Sequence, residues 1–218
     1  MTSAARAHRS LVWAGAVVFV VAVGLVLLMV VRPSAASSSG GGSAGASAGA
    51  PAEGSADVGF ARDMSVHHQQ AVEMSFIVRD RTDDEDVRRL TYDIINTQAN
   101  QRGMMLGWLD AWDLPKSAEG PPMEWMGHPA TATGGALMPG MATATQLDEL
   151  RTAEGRAAEV LFLRLMTVHH RAGADMARAA AASASTREIR DLADGMARAQ
   201  ESEIALMADM LEARGAKR

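Results

Sequence analysis

A chain of 218 residues allows one domain with appendages. Its formal net charge of −5, with no basic patch, argues against a nucleic-acid partner. The absence of cysteine excludes disulfides, thiolate metal sites and lipid attachment through cysteine.

Residues 1–10 carry Arg6 and Arg9, and residues 11–31 are an uncharged apolar run. As a helix that run is roughly 31 Å long, enough for a bilayer core. The flanking arginines predict a single-pass anchor in the cell membrane, with a cytoplasmic N-terminus and an extracytoplasmic C-terminal domain. The rival is a cleaved signal sequence ending near Ser34-Ala35-Ala36, which would release the domain. Residues 32–56 are mostly Ser, Gly and Ala and form a linker that cannot bury apolar surface. Beyond it, 18 basic and 25 acidic residues leave an acidic domain over 57–218.

That domain reads as all-α, because good helix formers dominate and no stretch alternates like a strand. The first predicted helix runs from an Asp57 cap to about Arg81. The second follows the capping-box pattern Thr82-Asp-Asp-Glu85 and ends near Asp113. A Pro-, Gly- and Met-rich crossover occupies about 114–144, longer than an ordinary loop. The third helix runs from about 145 to 182. The fourth follows a second capping-box pattern, Ser185-Thr-Arg-Glu188, and ends near Arg214. Short connections make two antiparallel hairpins, and two hairpins make a four-helix bundle.

The hairpins are copies of one another. Phe60-x3-Met64-x2-His67-His68-x2-Ala71-x2-Met74 returns as Phe162-x3-Met166-x2-His169-His170-x2-Gly173-x2-Met176. The same offset carries Leu90 onto Leu192, Gln98 onto Gln200, Gln101 onto Glu203, Met105 onto Met207 and Leu109 onto Leu211. A register kept over so many positions is an internal repeat.

At about 100° per residue each histidine pair straddles the apolar stripe of its helix, so both rings can face inward. Folding each hairpin about its turn brings Gln98 and Gln101 level with the first pair, and Gln200 and Glu203 level with the second. Glu73 and Asp175 turn away from the stripe. On the second and fourth helices the apolar stripe reads Leu90, Ile94, Met104 and Trp108, repeated as Leu192, Met196, Leu206 and Met210. Buried polar groups need partners, so a polar layer across the bundle is expected. Its chemistry has two readings. One is a metal site at His67, His68, His169 and His170, with Gln98, Gln101, Gln200 and Glu203 holding the rings. The other is a structural or proton-sensing layer.

Imidazole with thioether favours copper, Cu(I) leaning to sulfur and Cu(II) to nitrogen; zinc and nickel are the alternatives. Met64 and Met166 share the face of the histidine pairs and are candidate ligands. Met74, Met176, Met196 and Met210 read as core. In the crossover, Met123, Met126, His128, Met138 and Met141 form a candidate soft capture site. The alternative is a loop folded over the bundle, anchored by its methionines and Trp125. A di-iron centre is not expected, since no Glu-x-x-His motif occurs. No dedicated acid, base, nucleophile or phosphate loop appears, so binding is expected ahead of catalysis.

The doubled Met-x2-His-His motif, the Gln98-x2-Gln101-x2-Met104 run leading to Trp108-Leu109, and Met138-Pro-Gly-Met141 resemble domain-of-unknown-function family 305. That family comprises exported bacterial proteins, some of which are Met- and His-rich and resemble the copper-binding protein CopM. The resemblance covers 57–214. It implies a ferritin-like bundle and an association with copper resistance. It would carry metal binding to Met64, His67, His68, Met166, His169 and His170. The expected function is therefore membrane-tethered copper capture, buffering or resistance, with affinity falling below about pH 6 as imidazoles protonate. A redox-active metal oxidase and a metal-free envelope interaction bundle are the alternatives.

Overall fold

The computed structural model describes residues 49–127 and 134–217. The apolar run 11–31, the linker before residue 49 and His128 lie outside the described residues. Among those described there are five α-helices and no strand, and no helix is long and apolar enough to cross a membrane. The helices are α1 (Ala56–Arg79), α2 (Glu85–Ala111), α3 (Ala144–Thr152), α4 (Gly155–Ser183) and α5 (Arg187–Ala213). A 3-10 turn at Glu124–Met126 lies in the crossover.

The caps sit one or two residues from where the sequence patterns place them. Ser55, not Asp57, caps α1; Asp84, not Thr82, caps α2; Thr186, not Ser185, caps α5. The reciprocal capping box is on α3, between Thr143 and Gln146. The displaced residues have other partners. Asp57 accepts four hydrogen bonds, from the backbone N–H and hydroxyl of Ser185 and of Thr186, at 2.7–2.9 Å. Thr82 donates its hydroxyl to Glu159 at 2.6 Å. Asp57 and Glu159 correspond in the repeat, so each hairpin's first helix grips the turn of the other hairpin. Burial alone would raise the Asp57 carboxyl, but the four donors from Ser185 and Thr186 hold it below the usual carboxylate value. Replacing Asp57 with alanine should lower stability by about 3 kcal/mol, because hydrogen bonds to a charged acceptor are lost. A urea midpoint that does not move would contradict this role.

The single third helix expected over 145–182 is two helices. Ala153 and Glu154 are extended and Gly155 has φ of 51°. The break is fixed from outside: Gly155 N–H donates to the Arg81 carbonyl at 2.7 Å, and Glu154 pairs with Arg81 at 2.7 Å. Breaking the helix lets Leu147 and Leu150 of α3 turn into the core.

α1 packs along α2, α4 along α5, and the two hairpins meet chiefly through α1 against α4. The buried side chains form two clusters. One contains Phe60, Met64, Met105, Leu109, Met176, Ile189 and Met196. The other contains Phe162, Met166, Met207, Leu211, Met74, Val87 and Ile94. Each residue of the first group has its repeat counterpart in the second. The duplication is thus a pseudo-twofold that exchanges the two clusters, and the histidines fall between them on both α1 and α4.

One expected stripe is rotated. Met104 and Leu206 are 46% and 48% exposed, whereas the adjacent Met105 and Met207 are fully buried. The inward line of α2 runs Val87, Thr91, Ile94, Gln98, Met105 and Leu109. Gln98 is therefore part of the stripe, and Gln101 lies on its flank.

Candidate metal centre

His67, His68, His169 and His170 are all buried, none more than 1% exposed. The two halves make matching bonds. His68 Nε2 meets Gln101 Oε1 at 2.9 Å, and His170 Nε2 meets Glu203 Oε2 at 2.6 Å. His169 Nε2 meets the His67 carbonyl at 3.1 Å. All three acceptors are oxygens, so Nε2 carries the proton in each ring. In the neutral form of His68, His169 and His170, Nδ1 is then a bare lone pair.

Those lone pairs have no partner within the protein. Nine buried side-chain polar atoms among the described residues are unpaired, and seven lie in this layer. They are Nδ1 of all four histidines, Nε2 of His67, and Oε1 of Gln98 and Gln200. Each unpaired buried group costs about 1–3 kcal/mol, so seven in one place call for a partner. A histidine whose N–H is fixed by a carboxylate or carbonyl, with its other nitrogen free, is the donor arrangement a metal ion uses. The donor chemistry therefore fits copper, with zinc or nickel as other ions that imidazoles accept. Among the described residues no three His, Asp or Glu side chains already stand as a metal cage. The His67 and His169 rings instead stack with centroids 3.7 Å apart and planes at 29°.

Three of the four rings, His67, His68 and His169, resist protonation. Burial pushes the His67 and His169 imidazoles well below their ordinary value of 6.5, and the neighbouring histidines push the same way. Burial takes His68 down to about 3, with the Gln101 bond opposing and His170 adding to the fall. The expected loss of metal affinity near pH 6 is therefore corrected for these rings in the folded protein. In His68 proton competition begins far lower.

Gly173 brings α4 close to the layer. A Cβ there would lie 2.4 Å from Gln200 Oε1 and 2.9 Å from His67 Cε1. Met64 and Met166 are fully buried, one in each apolar cluster, each a turn before its histidine pair. Glu73 pairs outward with Arg151 at 2.6 Å, and Asp175 pairs with Arg178 on the surface.

The crossover methionines are not the exposed thioethers that a capture loop requires. Met123 and Met138 are 6% and 1% exposed, in the same cluster as Met64. Met126 and Met141 are partly buried against that cluster. The loop is folded over the bundle, the alternative that its methionines and Trp125 allow. Trp125 stands edge-on to Phe60 at 6.1 Å and donates Nε1–H to Asp63 at 2.9 Å; the Met123 N–H donates to the same oxygen at 2.7 Å. Burial raises the Asp63 carboxyl above its ordinary value, although the two donors and Arg62 oppose it. Gly59 makes the docking space, since a Cβ there would lie 2.2 Å from the indole. Further on, Gln70 exchanges two hydrogen bonds with the backbone of Ala142, at 2.7 and 2.9 Å. Gly140 sits against α4, where a Cβ would fall 3.0 Å from the Val168 carbonyl and 3.6 Å from His169 Cα. The Met138–Met141 segment thus lies on the helix turn that carries His169.

Sequence reasoning misses the His67–His169 stack, the His67 carbonyl as an acceptor, and Gln70 as the loop's anchor. The glycines at 59, 140 and 173 are the available signal, since each marks a close approach to another segment.

The chain matches solved structures over most of its folded part. A DUF305 protein from Streptomyces coelicolor is 60% identical, with a TM-score of 0.72, covering 77% of this chain and 98% of that one. A DUF305 fragment from Deinococcus radiodurans is 28% identical, with a TM-score of 0.61, covering 72% and 95%. CopM in its Cu(II)-bound form is 24% identical, with a TM-score of 0.59 and coverage of 72% and 96%, a likeness of fold. CopM structures are also known in Cu(I)-bound and Ag-bound forms. No curated protein matches the chain. The model of the family "Domain of unknown function (DUF305)" matches residues 57–211, and the chain belongs to that family.

Proposed function

We propose that this protein is an extracytoplasmic copper-binding protein, tethered through residues 11–31, that captures and buffers the ion in its histidine layer. The domain is read as a ferritin-like four-helix bundle. His67, His68, His169 and His170 would supply the donors, with Met64 and Met166 as neighbouring thioethers for the reduced ion. Gln101 and Glu203 hold the rings, and Gln98 and Gln200 border them. The observation that carries the reading is the seven unpaired buried atoms gathered in one layer, four of them imidazole Nδ1. Bound copper would supply a positive centre to those lone pairs. The copper and silver forms of CopM add weight to a soft cation. The methionines and His128 of the crossover form a secondary proposal as loop ligands, and the methionines would reach an ion only after leaving their packed positions.

A metal-free structural layer is the second reading, and the stacked His67 and His169 rings favour it. The two separate in a thermal melt. An ion that binds only the folded form at a thousand times its Kd adds about 4 kcal/mol. Silver or copper should therefore raise the melting point of the full chain by several degrees, and zinc or nickel by less. No shift with any of the four ions would leave the structural layer standing.

A further inference from the structure

The pseudo-twofold is broken at one chemically decisive place. His68 and His170 each give their Nε2 proton to the residue 33 positions on. In the first repeat that residue is Gln101, a neutral amide. In the second it is Glu203, a carboxylate whose side chain is 23% exposed. The other side chains named in the layer, His67, His169, Gln98 and Gln200, carry no negative charge. The nearby acids Glu73, Asp175 and Glu201 are engaged outward with arginines.

We propose that Glu203 makes the two halves of the duplicated layer unequal, so that the first soft monovalent cation to enter is held on the His170 side. The inference rests on the metal-binding reading and goes beyond it, to a positioning residue and an order of engagement. A carboxylate accepting an imidazole N–H pushes electron density to the other ring nitrogen, which strengthens Nδ1 of His170 as a donor. An amide at the same place does so far less. Net charge acts in the same direction. A cation of charge +1 beside Glu203 leaves that half neutral, whereas beside Gln101 it leaves a buried positive charge. Burying an uncompensated charge is costly.

The test uses the full chain labelled with 15N-histidine and titrated with Ag(I), a redox-inert monovalent probe. Below one equivalent, the Nδ1 resonance of His170 should shift while that of His68 stays in place. Glu203→Gln should weaken the first binding step by roughly 10- to 100-fold. It should also make the two resonances move together. Gln101→Glu in the Glu203→Gln background should reverse the order, so that His68 moves first, an outcome that a purely structural role for Glu203 would not give. Simultaneous shifts in the unsubstituted protein, or unchanged order and affinity in Glu203→Gln, would overturn the proposal and leave metal binding intact. Absence of any Ag(I)-dependent histidine shift would overturn both.

Discussion

Acidification should unfold the metal-free protein cooperatively, well above the pH at which most folded helical domains fail. Burial and neighbouring imidazoles hold His67 and His169 well below 6.5, and burial takes His68 to about 3. In the unfolded chain each imidazole takes up a proton near 6.5. Between about pH 6.5 and 3 the unfolded state thus binds protons that the folded state refuses. Stability rises with pH in such a window and falls as pH falls. The loss is about 1.4 kcal/mol per pH unit for each ring. Three rings together give roughly 4 kcal/mol per unit, against a typical total stability of about 5–15 kcal/mol. Asp57, whose carboxyl is lowered, adds a further loss only at more acidic pH. Circular dichroism should show helix loss beginning about two pH units below neutral, shifted downward by bound copper or silver. A metal-free protein with the same urea midpoint at about pH 4.5 and pH 7 would contradict the buried neutral layer.

Gly173→Ala should have the opposite sign from the usual glycine-to-alanine change in a helix. In a helix interior alanine is ordinarily favoured by about 1 kcal/mol. A Cβ added at Gly195 would meet nothing within 4 Å, so Gly195→Ala should stabilise by about that amount. At Gly173 the added methyl meets Gln200 Oε1 at 2.4 Å and His67 Cε1 at 2.9 Å. Gln200 can swing its amide, but the His67 ring is held against His169. Overpacking of this kind costs about 1–3 kcal/mol. The displaced ring also belongs to the proposed donor set, so metal affinity should fall with stability. The two variants are compared by urea denaturation and silver titration. A Gly173→Ala protein as stable as Gly195→Ala, with unchanged silver affinity, would show that α4 does not close on the layer there.

These effects rest on features that are unequally legible in the sequence. The repeat frame around His67-His68 and His169-His170 is readable because both copies keep their spacing, and hairpin geometry places Gln101 and Glu203 level with them. The break at Glu154 is not readable, because it is stabilised by Arg81, far away in the chain. Local patterns misplace the caps at Ser55, Asp84 and Thr186, because Asp57 and Thr82, good capping residues locally, are engaged by the opposite hairpin. Periodicity admits Met104 as readily as Met105, because stripe phase depends on how α2 rolls against α1. The crossover looks exposed by composition. Its burial comes from Gly59, Asp63 and Gln70, which read as ordinary helix residues until the loop is docked on them.

That four buried imidazoles form a copper-binding layer can be checked by counting the copper each chain retains. The full chain is loaded under reducing conditions and desalted, beside a variant with His67, His68, His169 and His170 all changed to leucine. Leucine fills similar space and relieves the unpaired nitrogens, so the variant should remain helical by circular dichroism. The unsubstituted chain should keep at least about one copper and the variant none, since amides, a lone carboxylate and packed thioethers give weak sites without the imidazoles. Equal copper in the two proteins would contradict a histidine-held ion.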